Sequence, residues 1–149
     1  MLITPGFKPH QRAEAERLLA LHHGDAARTY DVVRQQFAVL QSRSQLLLTL
    51  ATITLTITGF SGPQIARSGD FARITMAVGL ALVLAAVLVL LSGLRVKWLS
   101  QFDAGTPEAN LTEAIAYRDR KTMRFQVEIV LLGLGIAAYV SAVIAYVLA

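Results

Sequence analysis

The sequence predicts an all-α membrane protein: three transmembrane helices whose helical cytoplasmic extensions form a small bundle. Three observations lead there. Charge is scarce, 16% of residues against 54% hydrophobic, where soluble domains carry about 25%. The shortage is concentrated, because residues 44–66, 74–94 and 129–149 contain no Asp, Glu, Lys, Arg or His over 23, 21 and 21 positions. About 20 helical residues at 1.5 Å rise cross a hydrocarbon core of about 30 Å. The pattern also lacks strand-like alternation, and residues 76–94 keep no polar face of the kind a soluble helix needs.

The chain therefore divides into an N-terminal helical region (1–43), a first span (44–66), an outer loop (67–73), a second span (74–94), a helical loop (95–128) and a third span (129–149). Lys and Arg orient it. Six precede the first span, Arg67 and Arg73 lie in the first loop, six lie in the second loop, and none follows the third span. Basic residues accumulate on the cytoplasmic side, so the N-terminus is expected inside and the C-terminus outside. The first apolar run starts near Leu46, after a long polar segment, so no cleaved signal peptide is expected. The absence of cysteine removes disulfides and thiolate metal sites and fits a bacterial inner (plasma) membrane. The bilayer is the expected partner. Nucleic acid is not, because the basic residues flank the spans and mix with acids.

Element by element, residues 1–9 hold two prolines and read as an irregular tail. A short helix is predicted over 9–23, with Arg12–Glu16 and Glu14–Arg17 spaced to pair. Gly24 fits its C-cap, and Asp25 fits the N-cap of the next helix. A long helix is predicted from Asp25 to Phe60. Its Tyr30, Val33, Phe37 and Leu40 form an a–d stripe that must pack on a helix of this chain or of another subunit. Phe60, Ser61, Gly62 and Pro63 end the first span. Ser68, Gly69 and Asp70 signal a turn and cap. The second span starts near Phe71 and continues through Arg95, Trp98 and Phe102, with Trp98 at the inner interface. The stretch from Asp103 to Pro107 breaks it. Asn110 with Glu113 matches a capping box, opening a helix that runs into the third span.

No segment supplies an enzyme site or a cofactor fingerprint. Gly59, Ser61 and Gly62 match the GxSG pattern of rhomboid proteases, but the three histidines lie on the opposite side by the charge argument, and the serine needs a base in reach. Gly133, Gly135 and Ala138 loosely match a dinucleotide fingerprint, which needs a preceding strand. His22, His23 and Asp25 straddle a helix boundary and are too few for zinc. Glu128 stands at the inner edge of the third span with Arg124 four residues earlier. They are expected to form an interfacial ion pair, with a gate or ligand contact as the alternative. Gln45, Thr49, Thr52 and Thr56 make a polar stripe that suits helix packing or a hydrated groove. Gly133, Ala137, Ser141 and Ala145 in the third span, and Ala77, Ala81 and Ala85 in the second, are small-residue ladders that permit close helix packing, within the chain or between copies.

The order of parts resembles the small membrane effectors of bacterial anti-phage systems, the Pycsar membrane effectors and the related SLATT proteins. The resemblance runs from about residue 25. It rests on a cytoplasmic helix entering the first span at Arg43, Ser44 and Gln45, a short outer turn, and the basic stretch from Tyr117 to Arg124 that feeds the third span. It implies a homo-oligomer that disrupts the membrane when triggered. The residues leave another reading open, a non-catalytic anchor or scaffold whose cytoplasmic helices bind a partner protein.

The charge asymmetry makes a direct prediction. A reporter active only in the cytoplasm is silent when fused after Ala149 and active when inserted near Gly105; the opposite pattern reverses the topology.

Overall fold

A computed structural model describes residues 8–93 and 105–148. The irregular tail over 1–7, the extension of the second span through Arg95, Trp98 and Phe102, and the break at Asp103 lie outside the described residues. The described residues form four helices, with short turns joining the first three, as expected: α1 (Pro9–Leu21), α2 (Ala26–Ile65), α3 (Asp70–Gly93) and α4 (Pro107–Leu148). Helices α2, α3 and α4 are each long and apolar enough to cross a membrane.

Each terminus has a local cause. Helix α1 starts with Pro9 in its first turn, where the missing N–H costs nothing, and the Lys8 N–H donates to Gln11 Oε1. At its end the Gly24 N–H donates to the Leu19 carbonyl at 2.8 Å and the His23 N–H to Ala20 at 3.2 Å, a Schellman pair. The left-handed residue that closes the helix is His23, φ 54°, with Gly24 following at φ 81°. The expected cap at Gly24 is thus one residue late, because the motif places its left-handed residue earlier. Asp25 caps α2, its Oδ1 accepting from the Ala27 and Arg28 N–H groups at 3.0 and 3.2 Å.

Two boundaries differ from the sequence reading. Helix α2 does not end at Phe60 but continues through Pro63 to Ile65. Pro63 deprives only the Gly59 carbonyl of its partner, and the helix is within its last turn. Helix α4 begins a turn before Asn110. Thr106 Oγ1 accepts from the Ala109 N–H at 3.2 Å, and Pro107 takes the first helical position, where its fixed φ suits. Asn110 therefore lies inside the helix rather than at its cap, its N–H donating to the Thr106 carbonyl at 2.9 Å. Asp70 is the first residue of α3 rather than its cap, and pairs with Arg73.

The chain forms two compact units. The first takes Met1–Gln41 and Arg95–Met123, the second Ser42–Leu94 and Arg124–Ala149. In the first, Ala15 of α1, Val33 of α2 and Leu111, Ala114 and Ile115 of α4 are buried together, wrapped by Leu18, Leu19, Tyr30, Phe37 and Tyr117. The Tyr30–Val33–Phe37 stripe therefore finds its partners within the chain.

In the second unit, Ala51 of α2, Val83 and Ala86 of α3 and Leu132 of α4 make one buried cluster, and Ile65, Ala72 and Ala142 another. Its outside is apolar, with Leu46, Ile53, Leu84, Leu88, Leu134 and Ile144 exposed, as lipid-facing surfaces are. Helices α3 and α4 bring backbone close to backbone at Gly79 and Gly135. A Cβ on Gly79 would stand 2.9 Å from the Gly135 carbonyl oxygen and 3.1 Å from the Tyr139 nitrogen. One on Gly135 would stand 3.0 Å from the Gly79 oxygen and 3.1 Å from the Val83 nitrogen. These are backbone atoms on both sides, so a methyl fits only if the helices part. Gly133, two residues away, meets nothing within 4 Å.

The contrast predicts opposite signs for two neighbouring substitutions. Gly135→Ala, like Gly79→Ala, destabilises the second unit by about 1–3 kcal/mol through overpacking. Gly133→Ala leaves it unchanged or stabilises it by about 0.5–1 kcal/mol through helix propensity. Thermal unfolding of the dilute protein in detergent, followed by circular dichroism, reads both.

Candidate functional site

The residues marked in the sequence fall into three settings. The first is the outer surface of the second unit. Gly133, Ala137 and Ser141 are exposed there and Ala145 is half-buried; Ala77 and Ala81 are exposed and Ala85 half-buried. Ala145 packs against the Ile65, Ala72 and Ala142 cluster, while Gly133, Ala137, Ser141, Ala77 and Ala81 are left outward. The buried face of α3 is Ala72, Gly79, Val83, Ala86 and Leu90, and that of α4 includes Leu132, Gly135 and Ala142. The polar stripe of α2 is outward too, with Gln45, Thr49, Thr52 and Thr56 all exposed. Thr49 donates to the Gln45 carbonyl at 3.1 Å, Thr52 to Leu48 at 2.8 Å and Thr56 to Thr52 at 2.9 Å. The hydroxyl protons are thus spent on the helix itself, which makes the stripe compatible with lipid.

The second setting surrounds Ser92 of α3 and Glu128 of α4. Arg124 and Glu128 do not form the expected ion pair. Arg124 Nη1 donates to the Ser92 carbonyl oxygen at 3.4 Å. Ser92 lies on α3, one residue before the last described one, Gly93. Glu128 is buried, 5% exposed, and its Oε2 has no hydrogen-bond partner. It stands one turn before Leu132, on the inward stripe of α4.

The third setting, which the sequence did not reveal, is a polar network in the first unit. Arg118 grips Glu14 with both terminal nitrogens, Nη1 to Oε1 at 2.6 Å and Nη2 to Oε2 at 2.9 Å. Nη1 also donates to Gln36 Oε1 at 2.9 Å, and Nη2 to Asp119 Oδ1 at 2.8 Å. Asp119 Oδ2 accepts from Gln11 Nε2 at 3.1 Å and lies 3.4 Å from His10 Nε2. One guanidinium thereby ties α1, α2 and α4 together with charge-assisted bonds. The pairings Arg12–Glu16 and Glu14–Arg17 read from helix spacing are not formed among the described residues; Glu14 points at Arg118 instead. The hydrogen bond from Arg118 to Glu14, and then that to Asp119, hold the guanidinium pKa above its ordinary range despite partial burial. Burial pushes Asp119 up, but the hydrogen bonds from Arg118 and Gln11, with the Arg118 charge, outweigh it and hold the carboxyl below its ordinary range.

The remaining motifs resolve locally. Ser61 lies inside α2, its Oγ 2.8 Å from the Ile57 carbonyl and 2.9 Å from the Tyr139 hydroxyl. These are a backbone acceptor and a phenol rather than a base. His22, His23 and Asp25 are the C-cap, the left-handed residue and the next N-cap. Gly133, Gly135 and Ala138 lie within α4, with no strand before them. No protein-family model, curated protein or solved structure matches the chain, so its own residues carry the functional reading.

The lowered Asp119 value gives the first unit a pH dependence. The stabilisation is complete above the ordinary carboxylate range and is lost as pH falls through the lowered folded value. Limited proteolysis at α1 in wild type therefore accelerates on acidification below that range. Asp119→Asn is cut faster than wild type at neutral pH, and its rate changes less over the same acid range.

Proposed function

We propose that this chain is a self-associating multi-pass membrane protein of the bacterial inner membrane, with its N-terminus in the cytoplasm, that permeabilises the bilayer as a homo-oligomer. The observation that carries this reading is the outward placement of Gly133, Ala137 and Ser141 on α4. In lipid, helices associate through close van der Waals packing rather than through apolar burial, and small residues at four-residue spacing are the surfaces that allow it. These positions are not used within the subunit, which leaves them for another copy. The threonine stripe supports the same reading. Three packed helices enclose no aqueous channel, but several copies could turn Thr49, Thr52 and Thr56 toward a shared axis. The activity is the one implied by the resemblance to anti-phage membrane effectors.

The anchor reading draws its support from the apolar stripe on the first part of α2. Val33 is fully buried and Phe37 packs 5.7 Å from the Tyr117 ring, centroid to centroid. Tyr30, Val33 and Phe37 of that stripe pack within the chain, which weakens the support it gives to a partner protein.

Bulky substitution tests the proposal. Gly133→Leu and Ala137→Leu lower the oligomer mass measured by light scattering in detergent, and Thr52→Leu reduces dye release from liposomes. A wild type that is monomeric and leaves liposomes sealed removes the reading.

A further inference from the structure

The second unit holds one ionisable side chain that its neighbours do not account for. Glu128 is 5% exposed, and its Oε2 is buried without a hydrogen-bond partner. Native interiors very rarely leave such an atom, because an unpaired buried acceptor costs as much as a lost hydrogen bond, and far more when it is charged. A proton on the carboxyl removes that charge and turns the orphaned oxygen into a donor.

The charged surroundings are sparse. On its own helix Arg124 is one turn away, but its guanidinium is engaged with the Ser92 carbonyl of α3. Helix α3 brings no titratable residue between Arg73 and its end at Gly93, and α2 brings none between Ser44 and its end at Ile65. Arg43, the nearest charge before that stretch, is exposed. Arg95 and Lys97 follow α3 and lie outside the described residues. Within the second unit, Arg124 is therefore the charged group that acts on Glu128.

We propose that Glu128 is a proton-binding site of the membrane-embedded unit, occupied when Arg124 is held at the Ser92 carbonyl of α3 and emptied when Arg124 turns to pair with it. The four-residue spacing between the two is the one at which opposite charges meet on a helix. The guanidinium thus has two alternative acceptors, the Ser92 carbonyl and the Glu128 carboxylate. The step balances simply: a proton leaves the carboxyl to water, and the resulting anion takes the guanidinium as counter-ion. The bound species is the proton rather than a metal cation, because a cation at Oε2 would stand close to the Arg124 charge. The inference does not depend on oligomerisation.

Infrared difference spectroscopy of the full chain in lipid vesicles tests it, with Glu128→Gln as the near-isosteric reference. At neutral pH the wild-type-minus-variant spectrum shows the C=O stretch of a protonated carboxylic acid, unaffected by sodium or potassium. Raising the pH replaces it with carboxylate bands, and in Arg124→Gln the midpoint of that change moves at least tenfold in proton concentration toward higher pH. A carboxylate band at neutral pH overturns the proposal. So does an acid band that sodium abolishes at constant pH, since the site would then take a metal cation. A midpoint indifferent to Arg124→Gln removes the exchange between the two partners.

Discussion

The close approach of α3 and α4 at Gly79 and Gly135 is the constraint on which the second unit depends. Side chains in this unit have few polar handles. The bond between Ser61 and Tyr139 joins α2 to α4, and Arg124 reaches the Ser92 carbonyl of α3, but the body of α3 is aliphatic. Apolar surface gives no reason for helices to associate in lipid, where the surroundings are as apolar as the helices. What remains is contact density, and glycine supplies it by letting backbone meet backbone. Val83 and Ala138 stand at that contact, and the buried layers at Ala51, Ala86 and Leu132 continue the same inner faces.

The first unit is held by different physics, because its surface contains many charged residues and its core is small. Five buried apolar residues form its centre, a modest cluster for three helices. Arg118 adds direction to it. A planar guanidinium satisfied by Glu14, Gln36 and Asp119 fixes the rotation of each helix about its axis, which apolar contacts alone leave loose. Its side chain is 18% exposed, so removing one partner would leave a charge poorly hydrated.

Much of the architecture was legible in the sequence because it is encoded locally. Charge-free runs mark the spans, Asp25 marks a cap, and the Tyr30–Phe37 spacing marks a face that must be covered. The packing faces were not legible for the same reason. Helical periodicity sorts residues into faces but does not say which face meets a neighbour. Gly133 and Gly135 lie about 200° apart around the helix, and only the second is in the contact. The ladder of Gly133, Ala137, Ser141 and Ala145 has the better four-residue repeat, yet the steric demand falls on a single glycine on each helix. The Arg118 network was invisible because its ends are 104 residues apart, and helix spacing offered Glu14 a nearer partner in Arg17. Pro63 misled because a proline near a helix end removes one bond without ending the helix.

The two units treat their buried charges in opposite ways, and the difference separates a structural role from a functional one. Arg118 has a partner for each terminal nitrogen, and Asp119 has one for each oxygen. Such a network stabilises one arrangement, because any movement breaks several bonds at once. Glu128 is more deeply buried than either and carries an oxygen with no partner. Its helical neighbour Arg124, the obvious counter-ion, is engaged elsewhere. A leucine at the same position would extend the inner stripe through Leu132 without any desolvation cost. A sequence that keeps a carboxyl there gives up stability, and departures of this kind gather where a protein must change state rather than hold one. The buried carboxyl, not the better-bonded network, is therefore the place for the proposed proton binding.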